Sequence, residues 1–327
     1  MEKPKVAISI ESLSKHYKEL KAVDKIDLKV YEGEVFALLG PNGAGKTTTI
    51  TMLCGLLAPT NGSAHVAGYD ISKDPLKVRQ EIGVVFQQPT VDDLLSGREN
   101  LEMHAMLYSV PRENRNARID EMLSLVNLTG RQHNRIKEYS GGMRKRLEIA
   151  RGILHRPKIL FLDEPTVGLD PQTREHIWKY IKKMSRLENT TVVFTTHYME
   201  EAEQFADRIA IIDNGKIIRV GKPHEMVDSL GGDTAVLRSS QPKKLAASLR
   251  KMSFVKNVKI GEGSVTVSIA HTHKNLPRLL RTLKKINSIE IRPASLNDVF
   301  IKYTGKNIRE DSAEGGFWER LMDRSKK

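Results

Sequence analysis

Residues 40–47 read Gly40-Pro41-Asn42-Gly43-Ala44-Gly45-Lys46-Thr47, which satisfies the spacing G-x-x-x-x-G-K-[ST]. A short apolar run, Val35 to Leu39, leads into this loop, and an apolar stretch with helical spacing, Thr48 to Leu57, leaves it. Strand, glycine loop, helix is the context in which that spacing wraps phosphates. Glycines let the backbone pass close to a ligand with its amide N–H groups turned inward. The helix that follows adds its positive end. Lys46 is placed to reach the β- and γ-phosphates of a nucleoside triphosphate, and the Thr47 hydroxyl to ligate Mg²⁺. Asn42, Gly43, Gly45 and Thr48 complete the expected cradle.

Other polar groups stand at the ends of apolar runs elsewhere. Ile159-Leu160-Phe161-Leu162-Asp163-Glu164 is an apolar strand that ends in two acids. Beside a phosphate loop, the first acid fits the Mg²⁺ shell and the second a general base for an attacking water. Taken alone, the same pattern is also that of a strand followed by an exposed acidic turn. Thr191 to Thr196 is a further strand, followed by His197, and Ile82 to Phe86 is followed by Gln87. In an open parallel sheet, ligands bind at the carboxyl ends of the strands. Lys46, Asp163, Glu164, His197 and Gln87 are therefore expected on one rim. Tyr139-Ser140-Gly141-Gly142-Met143 precedes a helical stretch, with Ser140 a natural N-cap and the two glycines leaving the helix start bare for an anion.

The runs at 34–39, 82–86, 158–162 and 191–196 alternate with helical patterns, which predicts an α/β core with a largely parallel sheet. Residues 89–155 lack strand patterning and read as a helical insertion. Gly231-Gly232 marks a boundary, giving a domain over 1–232. Beyond it, strand and helix signals follow the order β-α-β-β-α-β of a split ferredoxin-like unit, a small α+β domain over 233–305. Residues 306–327 read as a charged tail. No apolar run approaches the ~18 to 20 residues that cross a bilayer, and the N-terminus lacks a secretory pattern. The single cysteine, Cys54, excludes an intrachain disulfide and reads as a small buried hydrophobe on a helix. The net charge of +13 falls mostly after residue 232. Without interleaved aromatic residues, that excess reads as a solvated basic surface rather than a nucleic-acid platform.

Together these segments resemble the ABC ATPase family over about residues 5–230. GPNGAGKT at 40–47 matches Walker A, and VVFQ ending in Gln87 matches the Q-loop. YSGGM at 139–143 stands where the common form is LSGGQ, and ILFLDE at 159–164 matches Walker B. VGLD at 167–170 matches the D-loop, and TTH ending in His197 the switch histidine. Tyr17 in LSKHY matches the aromatic residue that stacks on adenine. YSGGM, the Arg/Lys run after it and PASLNDVF at 293–300 look like the daunorubicin-resistance-type exporter ATPases, which carry an extra C-terminal domain. Met143 lacks the hydrogen bonds of the usual Gln.

The resemblance implies an ATP-hydrolysing subunit of an ABC-2 type exporter, with ATP and Mg²⁺ as ligands. It implies Thr47, Gln87 and Asp163 around the metal, and Glu164, His197, Gln87 and Lys46 in catalysis. It also implies a head-to-tail homodimer, with ATP between Walker A of one copy and Ser140, Gly141 and Gly142 of the other. A separate transmembrane permease would hold the chain at the cytoplasmic face of the membrane. No nucleic-acid partner is expected. The rival reading is an ABC ATPase acting on a nucleic-acid or ribosomal partner. The chain holds one cassette, and no heptad tract lies between Lys46 and Ser140.

Overall fold

The computed structural model describes residues 4–87, 90–270, 272–282 and 286–305. The chain forms two compact units that divide between Val220 and Gly221. This lies upstream of the Gly231-Gly232 pair. The reason is a short helix, α8 (Pro223–Asp228), which packs on α11 (Leu296–Thr304) and is bonded to it through Lys302 Nζ and Ser229 O at 3.3 Å.

In the first unit, β1 (Val6–Tyr17), β2 (Leu20–Tyr31), β4 (Asn61–Val66) and β5 (Tyr69–Asp70) form an antiparallel sheet in the order β2-β1-β4-β5. A second sheet has the order β10-β9-β3-β8-β7-β6. Its strands are β3 (Val35–Leu39), β6 (Ile82–Val85), β7 (Ile159–Asp163), β8 (Thr191–Thr196), β9 (Arg208–Asp213) and β10 (Lys216–Gly221). The pairs β6·β7, β7·β8, β8·β3 and β3·β9 are parallel. The expected parallel core is present; the antiparallel sheet in front of it was not foreseen.

Both faces of the parallel sheet are covered, so its strands are continuous apolar runs rather than alternating ones. Phe36, Leu38, Ile159, Phe161 and Val193 face a core shared with α1 (Lys46–Leu53), α2 (Pro75–Glu81) and the antiparallel sheet. On the opposite side lie α6 (Pro171–Glu188) and α7 (Met199–Phe205), with the fully buried Trp178 against Phe194 and Phe205, ring centroids 4.6 and 4.7 Å apart. Helix α6 begins at Asp170, whose side chain accepts from Thr173 N at 2.9 Å, with Pro171 in the first turn. Cys54 caps the end of α1, and burial pushes its thiol pKa up, as for a small core residue.

The insertion after β6 is helical, as expected. It holds α3 (Gly97–Leu107), α4 (Arg112–Leu125) and α5 (Gly141–Ile153). Helix α3 starts with a reciprocal cap between Ser96 and Glu99. Arg118 of α4 donates to Leu154 O and Ile153 O at 3.0 and 2.9 Å, satisfying carbonyls that the end of α5 leaves open. His155 Nε2 donates to Ile82 O at 3.1 Å and so ties the insertion to the parallel sheet.

In the second unit, β11 (Asp233–Arg238), α9 (Pro242–Leu249), β12 (Val255–Gly261), β13 (Ser264–Ile269), α10 (Thr272–Thr282) and β14 (Ser288–Arg292) follow the β-α-β-β-α-β order. The sheet order β12-β13-β11-β14, antiparallel throughout, is that of the split unit. Ala235, Leu237, Val265, Val267 and Ile269 form its core with Leu245 and Leu249 of α9. The charged tail at 306–327 and Pro89 lie outside the described residues.

His104, Tyr108 and His155 stack where α3 and α5 end, with Tyr108 and His155 centroids 3.9 Å apart. Burial, then the nearby Arg151, pushes the His104 pKa down to about 3, and burial pushes that of His155 down to about 4. Both rings are therefore neutral when folded, whereas the unfolded chain takes up both protons below about pH 6.5. Stability is accordingly expected to fall as pH drops from about 6.5 towards 4. Thermal melts at stepped pH check this, and a His104→Gln/His155→Gln variant should show a flatter profile over that window.

Candidate nucleotide site

The phosphate loop leaves β3 and ends at Gly45, the N-cap of α1, with φ at 104°. A Cβ there would lie 2.4 Å from Ala22 O, so only glycine fits. The same contact brings the start of β2 against the loop. Tyr17 pairs with Leu20 at the tip of the β1–β2 hairpin, and burial raises its phenol pKa. At the other end of the loop, a Cβ on Gly40 would lie 2.2 Å from Ile212 O. Asn42 and Gly43 are exposed at the crest, and Thr48 is buried in the first turn of α1.

Lys46 is 5% exposed. Its Nζ donates to Gly40 O at 2.8 Å and to Pro41 O at 3.0 Å, and lies 3.5 Å from Glu164 Oε1. Burial pushes the lysine pKa down, opposed by Glu164 and Asp163. Thr47 Oγ1 donates to Asp163 Oδ2 at 2.8 Å, and Thr195 Oγ1 donates to Asp163 Oδ1 at 2.5 Å. Asp163 is fully buried, and burial pushes its carboxyl up despite those two hydroxyls.

Glu164 has a left-handed backbone, φ 49°, held by its N–H donating to Thr195 Oγ1 at 3.0 Å. Such a conformation is uncommon for a non-glycine residue and aims the side chain away from the strand path. His197 Nδ1 lies 3.2 Å from Glu164 Oε1, and Gln87 Nε2 donates to Oε2 at 3.4 Å. Burial favours the protonated acid, but His197 and Lys46 outweigh it and hold the Glu164 pKa below the usual range. The residue is thus an ionised acceptor with two neighbours able to orient it. Its carboxylate can take a proton from a water, provided that water reaches it.

The structure therefore joins Lys46, Thr47, Asp163, Glu164, Gln87 and His197 through direct contacts at the carboxyl ends of β3, β7, β8 and β6. Thr47 and Asp163 offer hard oxygen ligands, the chemistry that Mg²⁺ selects. Ser140 caps α5 through Met143 N at 3.3 Å, and a Cβ on Gly141 would meet nothing within 4 Å. Ser140, Gly141 and Gly142 make no bond to that cluster among the described residues. Two contributors escaped the sequence reading. Thr195 is a polar residue inside an apolar strand, in register with Asp163, and that anomaly was its signal. Lys145 donates to Phe86 O at 2.8 Å and to Gln87 O at 3.4 Å, yet nothing in the run Arg144-Lys145-Arg146 singles it out.

A phosphate loop before a helix, with a Mg²⁺-competent Asp at the end of β7 and an oriented Glu directly after it, defines a P-loop ATPase. Residues 23–167 match the ABC transporter family, and residues 221–304 match the family described as ATP-binding protein DrrA1-3-like, C-terminal domain. The chain is 36% identical to the linearmycin resistance ATP-binding protein LnrL of Bacillus subtilis, over 93% of this chain and 100% of that protein. It is 39% identical to the daunorubicin/doxorubicin resistance ATP-binding protein DrrA of Streptomyces peucetius, over 95% and 96% of the two chains. Among solved structures, it resembles a dimeric ATP-binding cassette in a post-hydrolysis state bound to ADP and Pi. The TM-score is 0.62 and the identity 30%, over 66% of this chain and 98% of that one. The chain belongs to the ATP-binding proteins of ABC transporters, with a DrrA-like C-terminal domain, and it is an ATPase. These relatives do not favour the nucleic-acid or ribosomal alternative.

Thr195 bonds to both acids, and its loss leaves a buried carboxylate oxygen and a buried N–H without their partner. Thr195→Val is expected to cost about 1–3 kcal/mol, measured by urea unfolding, and to lower ATP hydrolysis in a steady-state assay.

Proposed function

We propose that the chain is the ATP-hydrolysing subunit of an exporter and drives a separate transmembrane permease from the cytoplasmic face of the membrane. The observation that carries this is the connected cluster of Lys46, Thr47, Asp163, Glu164, Gln87 and His197, with Lys46 and the two acids buried, in a chain that matches resistance ATP-binding proteins along nearly their whole length. Among the described residues, no helix is long and apolar enough to cross a membrane. We assign the membrane path to another chain because this one belongs to the ATP-binding proteins of ABC transporters.

Lys46 and the loop amides hold the β- and γ-phosphates, and Tyr17, on the hairpin beside the loop, stacks on adenine. Thr47, Asp163 and Gln87 would hold Mg²⁺, which would supply positive charge against the phosphates. Glu164 accepts the proton of the attacking water, and His197 orients Glu164. The bare start of α5, with Ser140, Gly141 and Gly142, meets the phosphates held by a second copy of the chain. ATP thereby joins two copies, and hydrolysis separates them, because the ligand favours the closed state.

The helical insertion supplies the permease contact. Met103, Met106 and Leu107 are exposed on α3 at three- and four-residue spacing, which places them on one face. An apolar group of this kind on a helical face suits a partner's helix. Lys145 fixes the carbonyls of Phe86 and Gln87 from within α5, so the insertion and Gln87 are mechanically joined.

Two variants test the assignment. Glu164→Gln should bind ATP with unchanged affinity, hydrolyse it about a hundred- to ten-thousandfold more slowly and accumulate as an ATP-bound dimer in size-exclusion chromatography. Hydrolysis at the wild-type rate removes Glu164 from the role of base. Lys46→Ala should weaken ATP binding itself, as measured by calorimetry; unchanged affinity contradicts the loop assignment.

A further inference from the structure

Glu201 lies in the first turn of α7 and is 4% exposed. Thr166 Oγ1 donates to its Oε1, and Thr196 Oγ1 donates to its Oε2 at 3.0 Å. The Thr196 oxygen in turn accepts from Tyr198 N at 2.9 Å. From α6, Arg174 places Nε 3.7 Å from Oε1, donates from Nη2 to Leu169 O at 3.5 Å and lies 5.6 Å over the Tyr198 ring. All of these contacts serve two segments. One is 165–170, which follows Glu164; the other is 196–198, which carries His197.

A carboxylate in this interior is costly unless it is fully bonded, and an apolar side chain could fill the same volume. A group that only packs α7 needs no charge there. This charge is matched by two hydroxyls, one from each segment that leads to Glu164 or His197, and by the Arg174 guanidinium of α6, which also reaches Leu169 O. Residues 165–169 and 197–198 lie outside the strands and have no ladder of their own to fix them, while Thr196 ends β8 opposite Leu39.

We infer that Glu201 is a positioning residue: it ties the 165–170 segment to His197, so that displacement of one moves the other relative to the Glu164 carboxylate. The inference rests on the roles proposed above for Glu164 and His197. It adds a route by which the state of residues 166–170 reaches the hydrolytic contact. When the tie is intact, His197 Nδ1 is held within 3.2 Å of Glu164 Oε1. When it is cut, that contact loosens while the phosphate loop, built on β3 and α1, keeps its form.

The test uses the full chain and removes hydroxyls rather than the acid, because Glu201→Ala leaves the Arg174 guanidinium without its carboxylate partner. Thr166→Val and Thr196→Val are near-isosteric. Each is expected to lower kcat for ATP hydrolysis by about tenfold to a hundredfold. KM and calorimetric ATP affinity should stay within about threefold of wild type. Thr166→Ser and Thr196→Ser should restore most of the rate. Wild-type kcat in both valine variants overturns the inference. So does a loss that merely tracks the fraction of folded, ATP-binding protein, since that is what a packing role predicts. Glu164→Gln separates the two readings. If it is inactive while the valine variants are fully active, the tie alone is wrong; if it hydrolyses at the wild-type rate, both readings fall.

Discussion

A lysine ammonium buried at the rim of a parallel sheet, facing two buried carboxylates, is the constraint on which the rest of the first unit depends. An unpaired charge in that setting would neutralise or unfold its surroundings. Lys46 avoids this through two main-chain carbonyls and Glu164. Asp163 does so through two threonine hydroxyls. The arrangement tolerates little slack, and its supports are correspondingly rigid. Gly40 and Gly45 admit close backbone contact at both ends of the loop, and β3, β7 and β8 are covered on both faces.

Rigidity at the rim contrasts with the elements around it. Glu164, residues 165–170 and His197 lie where strands have ended, and the fold must hold them by side-chain bonds instead of ladders. Thr195, Thr166, Thr196 and Glu201 do this, each buried and each with a polar partner. The helical insertion is fixed to the sheet at separated points, among them His155 to Ile82 and Lys145 to the Phe86 and Gln87 carbonyls. Tethering at discrete points, in place of a continuous ladder, is what permits two discrete arrangements of an element.

Much of this was legible in the sequence because each feature has its own physical signature. The glycine loop, the acid pair after an apolar run and the polar residues that end strands are local patterns. Their convergence follows from the rule for parallel sheets. The second unit was legible for the same reason, since Val265, Val267 and Ile269 alternate with polar neighbours across a Gly-containing turn. The antiparallel sheet was not seen: β1 and β2 carry bulges and register shifts that break strict alternation. Lys145 and Glu201 were missed because an inward-facing charge looks like its solvated neighbours until its partners are brought from distant parts of the chain. The unit boundary rests on α8 packing against α11, a contact between segments far apart in sequence.

The most direct measurement is calorimetric titration of the wild-type chain with ATP, ADP and AMP in the same buffer. Recognition that centres on Lys46 and the loop amides predicts that AMP, lacking the β- and γ-phosphates, binds at least about a hundredfold more weakly than ATP, since each charge-assisted contact contributes some 1.5–3 kcal/mol. Equal affinity for AMP and ATP would mean that binding is governed by the base and ribose and would contradict the account.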